Sequence, residues 1–157
     1  MAPLPWTSKQ PEFLHATRSL ATSTPQTLVN GTTIFRVVGG PVVLEQLYSY
    51  CNTVCDATAA TLQWSADGDV GAAATFTGAS ASLASFAAGG VVACNFVALT
   101  TAPIITGTAG VTLKSTAGII VPAGIITIVV GSGPTTGTFL HYLRFTPMST
   151  SSNVLVA

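Results

Sequence analysis

Thr32-Thr33-Ile34-Phe35-Arg36-Val37-Val38-Gly39-Gly40-Pro41-Val42-Val43-Leu44-Glu45-Gln46-Leu47-Tyr48-Ser49-Tyr50 decides how this chain folds. Both flanks are dominated by β-branched and aromatic residues, which suit a pleated, half-buried backbone. Gly39-Gly40 tolerates the positive φ of a tight turn, and Pro41 opens the return stretch, where a missing N–H does least harm to a ladder. The segment predicts a β-hairpin. On its first strand Ile34, Arg36 and Val38 share one face, and Phe35 and Val37 the other. On its second, Val43, Glu45 and Leu47 alternate with Val42, Leu44, Gln46 and Tyr48. Apolar residues on both faces predict a sheet covered on both sides, by a second sheet or by a neighbouring subunit.

Outward from the hairpin, short apolar runs alternate with Gly/Pro turns. Strands are expected at 61–65, 72–77, 91–99, 104–106, 111–114, 119–121, 125–130 and 138–146. In the last of these Phe139, His141, Leu143 and Phe145 fall on one side, with Leu140, Tyr142 and Arg144 on the other. Val121-Pro122-Ala123-Gly124 is read as a turn and residues 131–137 as a hairpin loop. With no amphipathic helical pattern, the chain predicts an all-β antiparallel β-sandwich or jelly-roll-like domain. Its 157 residues suit one domain. Residues 1–26, broken by Pro3, Pro5, Pro11 and Pro25, predict an extended arm anchored by Trp6, Phe13 and Leu14 on a partner. The sandwich then occupies 27–147, and a Ser/Thr-rich tail at 148–157 is a second expected partner contact.

Charged residues make up 6% of the chain, five basic and five acidic, against about 25% in ordinary soluble domains. A lone particle so weakly charged tends to self-associate, so the composition implies either a membrane protein or a surface covered by partners. Pro122, Gly124, Gly89 and Gly90 interrupt the best apolar stretches, which fall short of the roughly 20 residues of a spanning helix. Membrane insertion is not expected, nor is a signal peptide. Without a basic excess there is no electrostatic footprint for nucleic acid.

Chemistry-bearing motifs are sparse. Cys51 and Cys55 lack the second ligand pair of a zinc site, and Cys94 makes the thiol count odd, so buried free thiols are expected. Asp67-Gly68-Asp69 lacks the remaining positions of a calcium loop. Residues 131–137 lack the Gly-Lys-Ser/Thr ending of a phosphate loop. His141, set among Phe and Leu without a nearby nucleophile or acid, is expected to be a satisfied or partly buried histidine and not a catalyst. No catalytic group, metal or cofactor is predicted.

Two segments carry a family resemblance. One runs from Ile34 through Gly39-Gly40-Pro41 to Leu47, with Arg36 and Glu45. The other is Val121-Pro122-Ala123-Gly124-Ile125-Ile126, followed by Gly137-Thr138-Phe139 and Tyr142-Leu143-Arg144-Phe145-Thr146-Pro147-Met148-Ser149. Together they resemble small β-rich structural proteins of tailed bacteriophages, of the type that decorates and cements the head. The resemblance implies a non-enzymatic homotrimer on the outer surface of the virion, bridging neighbouring major capsid protein subunits and made in the host cytoplasm. A head-fibre base, tail or adaptor component is the alternative within the same class. From another class comes a carbohydrate-binding sandwich module, with Trp6, Trp64, Tyr48 and Tyr50 as candidate stacking residues.

Overall fold

The structure is a computed structural model that describes residues 17–22, 24–96, 102–106, 118–133 and 135–157. Twelve strands are described: β1 Arg18–Ala21, β2 Gln26–Thr27, β3 Thr33–Val38, β4 Val42–Thr53, β5 Thr61–Gly68, β6 Ala74–Thr75, β7 Val91–Ala93, β8 Ile104–Thr106, β9 Ile119–Val121, β10 Gly124–Gly131, β11 Thr138–Pro147 and β12 Asn153–Val156. They form two antiparallel sheets. In the first the order is β1-β11-β4-β7-β8, with β2 also on β11 and β9 also on β4. The second is β12-β3-β10-β5-β6. The chain is an all-β sandwich, as its patterning predicts.

The connectivity differs from expectation in one consistent way. β3 and β4 do not pair with each other: β3 lies between β10 and β12, whereas β4 pairs with β11, β7 and β9. Gly39-Gly40-Pro41 is therefore a corner between sheets rather than a hairpin turn. The β9–β10 and β10–β11 connections likewise cross between sheets, since β9 and β11 lie in the first sheet and β10 in the second. A glycine turn flanked by apolar strands carries the same local signal whether the chain folds back in one sheet or steps to the other. What selects the corner is burial: Phe35 and Val37 on one side of it, and Val42 and Leu44 on the other, all enter one core.

That core lies between the sheets and contains Phe35, Leu44, Leu47, Trp64, Ile126, Phe139, Phe145 and their neighbours. In β11 the predicted inward face holds, with Phe139, His141, Leu143 and Phe145 all buried. In β4 the predicted alternation fails partway. The register jumps from Arg144↔Gln46 to Phe145↔Leu44, leaving Glu45 as a bulge. A bulge adds one residue to one strand and reverses the facing of the residues beyond it. Val42 and Leu44 point inward before it, and Leu47, Ser49 and Cys51 after it.

Strands of the sandwich also lie within the expected arm and tail. Within the expected arm, Arg18–Ala21 is an edge strand on β11, and Gln26–Thr27 pairs with the same strand. The tail is likewise part of the domain, because β12 pairs with β3 and buries Val154. Arg18 Nη1 donates to Asn153 Oδ1 at 3.2 Å, lacing the two sheets along this side. The anchors Trp6, Phe13 and Leu14 lie outside the described residues, as does the strand expected at 111–114. The strand expected at 91–99 is described only as Val91–Ala93, and that at 72–77 only as Ala74–Thr75.

Candidate functional site

Two parts of the exterior stand out, and both follow from how the long strands β4 and β11 present their outward residues. Cross-strand partners share a face. Ala21, Tyr142, Tyr48 and Ala93 therefore form one row across β1, β11, β4 and β7. Leu140, Tyr50 and Val91 form the next row on the same outer face. Tyr48 and Tyr142 stack with ring centroids 4.8 Å apart and planes within 7°. Burial, then the charge of Tyr142, hold the Tyr48 hydroxyl above its ordinary pKa. Neither row contains a charged residue.

The charge sits at the border of this face, around the bulge. Glu45 Oε2 meets Arg144 Nε at 3.2 Å. Its other oxygen accepts from the Thr146 hydroxyl and, at 3.3 Å, from the Thr17 hydroxyl. Arg36 takes no part in this cluster. It lies on the second sheet and pairs with Asp69 at 3.6 Å, both side chains more than half exposed. The sequence places Arg36 and Glu45 on two adjacent stretches, but the corner at Gly39-Gly40 sends them to opposite sides of the sandwich. Exposed pairs of this kind contribute little stability, about 0–1 kcal/mol each.

The second part is the end of the molecule where the corners gather. Gly39 (φ 72°) packs so closely that a Cβ there would run into the carbonyl oxygen of Ser151. Gly124 (φ 151°) does the same against Asp67. Pro41 O accepts from Met148 N at 3.2 Å, and Ala123 O from Asp69 N at 2.9 Å. Gly40 stands over the hydroxyls of Ser149 and Ser152. The two resemblance segments, far apart in sequence, thus meet at one end through Val37↔Gly124.

Beside this end is a groove of about 530 Å³, between β9 of the first sheet and the β5–β6 edge of the second. Its walls are largely apolar, with Phe76, Ile119, Val121 and Pro122, and its lips are Val70 and Ile120, 94% and 65% exposed. Sequence reasoning missed it, because its walls come from two segments about 50 residues apart and its lips read as ordinary turn and strand residues.

The interior holds the remaining candidates. His141 is fully buried, and its Nδ1 shares a hydrogen bond with Ser49 Oγ at 2.7 Å. The Ser49 hydroxyl is therefore beside the ring, although Ser49 is 92 residues away in sequence. Both residues are sealed between the sheets, and His141 Nε2 has no hydrogen-bond partner. Burial lowers the His141 pKa to about 4. Cys51, Cys55 and Cys94 are free and buried. Burial, then the neighbouring Cys55 thiol, push Cys51 up to about 12, and burial alone does the same for Cys94. Such thiols are protonated and unreactive at neutral pH. Trp64, a proposed sugar platform, is fully buried and its faces are taken by the core. Among the described residues no group of three or more His, Cys, Asp or Glu converges as a metal site, and no helix is long and apolar enough to cross a membrane.

No family model, curated protein or solved structure matches this chain.

Proposed function

We propose that this protein is a non-enzymatic structural subunit that works by burying its weakly charged exterior against copies of itself and a larger shell. The observation that carries this is the outer face of the first sheet: two adjoining rows of Tyr, Leu, Val and Ala without a charge, bordered on one side by the Glu45–Arg144 cluster. Interface centres are depleted in charge and enriched in aromatics, and their rims are polar. The resemblance of the two corner segments to head-decorating phage proteins gives the shell its identity: a bacteriophage capsid, with the subunit bridging major capsid proteins as a homotrimer. Weak contacts repeated around a symmetric lattice reach strong avidity without any chemical step.

Mixing the protein with undecorated phage heads and sedimenting them tests the proposal. Saturation at a fixed copy number, and its loss in Tyr50→Glu, are the expected results. Tyr50 is 37% exposed, so this charge reaches the interface without entering the core. Absence of co-sedimentation, or saturable sugar binding by the isolated protein on a glycan array, would overturn it. The sugar alternative is disfavoured because Trp64 is in the core and Tyr48 and Tyr142 stack on each other.

A further inference from the structure

We infer that the apolar groove beside the corners is the seat of this protein's own leader, residues 1–14, with Trp6 as the side chain that fills it. Three observations converge on this occupant.

The first is where the leader starts. The Thr17 hydroxyl lies 3.3 Å from that of Thr146. Thr146 pairs with Val43, and Val43 with Ile120. Thr17 and the groove lip Ile120 therefore lie in one cross-strand row, at the same end of the first sheet. Three strand spacings separate them, about 14 Å.

The second is length. Eleven residue steps separate Trp6 from Thr17. The chain between them spans about 36 Å when fully extended, so Trp6 can come to the groove of its own chain or of an adjacent copy.

The third is chemistry. Leu4, Trp6, Phe13 and Leu14 supply apolar bulk, while Pro3, Pro5 and Pro11 lack backbone donors that an apolar groove would leave unsatisfied. The leader's only charged side chains, Lys9 and Glu12, lie between the two apolar clusters, so each cluster enters an apolar site without burying a charge. The groove offers matching walls in Phe76, Ile119, Ile120 and Pro122, and its volume accommodates one large aromatic with an aliphatic neighbour.

This assignment goes beyond the structural-subunit reading by naming what the leader grips. It is tested on isolated protein with no heads present, so a failure to bind heads and a failure of the groove are read separately. The chain has two tryptophans, and Trp64 is sealed in the core. Acrylamide quenching of the full chain, with the signal of a full-length Trp6→Phe variant subtracted, therefore reports on Trp6. Quenching several-fold weaker than in a synthetic 1–16 peptide is expected. Ile120→Asp and Val70→Asp, both at exposed positions, should raise it to the level of the peptide. Val29→Asp, also half exposed but at the other end of the sandwich, should leave it unchanged. Shielding that persists on dilution places the leader in its own chain's groove, and shielding lost on dilution places it in a neighbour's; both keep the leader as occupant. Trp6 as accessible in the full chain as in the peptide, or shielding that survives both Asp variants, would overturn the assignment.

Discussion

Between the sheets, the imidazole of His141 makes a single polar contact, to Ser49, and its burial favours the neutral ring. Its pKa is about 4 in the fold, against about 6.5 in an unfolded chain. As pH falls the unfolded state takes up the proton first. This contribution to stability is therefore complete above about pH 6.5, is lost progressively down to about pH 4, and changes no further below that. The full span corresponds to about 3 kcal/mol. Asp56 acts in a different window. Its carboxylate accepts from Thr58 N at 2.9 Å and Thr136 N at 3.1 Å, and these bonds lower its pKa, so its contribution fades only in stronger acid. Urea unfolding from pH 7.5 to 4.5 should show stability falling with pH in the native chain and a nearly flat profile in His141→Gln. An equal slope in both would show that His141 does not govern acid sensitivity.

At the scale of elements, the last five residues give the sharpest test. Asn153–Val156 pairs with β3, buries Val154 and supplies Asn153 to Arg18. Ending the chain at Ser152 removes a buried valine and an edge strand, and leaves one flank of β3 unpaired. A loss of about 2–4 kcal/mol is expected, read as a melting temperature lower by roughly 5–10 °C, with faster amide exchange along β3. An unchanged melt would return the tail to the role of a free partner contact. That tail shows how far local sequence could be read. Strands announced themselves wherever inward and outward residues alternated, as in β11, where every facing was legible. Pairing was not, because Gly39-Gly40 and residues 132–136 have the composition of hairpin turns although they join different sheets. The Glu45 bulge was equally silent, since one extra residue shifts the facing without altering composition. The tyrosine face was half legible: Tyr48 and Tyr50 were named from sequence, but Tyr142 joined them only through the register of β4 on β11.

For the whole molecule, the deciding quantity is how little charge its exterior carries. The described charged side chains are bound up at Arg36–Asp69, Glu45–Arg144, Arg18–Asn153 and the Asp56 loop contacts, apart from Asp67 in β5. The outer rows of the first sheet and the groove walls are left uncharged. With a formal net charge of zero, no long-range repulsion keeps copies apart. Closed symmetric association hides such a face, whereas open association would continue to aggregates. A trimer at micromolar concentration, seen by light scattering, is the expected state. Tyr50→Glu should shift it toward monomer with little change in melting temperature, because the added charge meets the interface and not the core. A stable monomer of the native chain at micromolar concentration would remove the reason to read the tyrosine face as an interface.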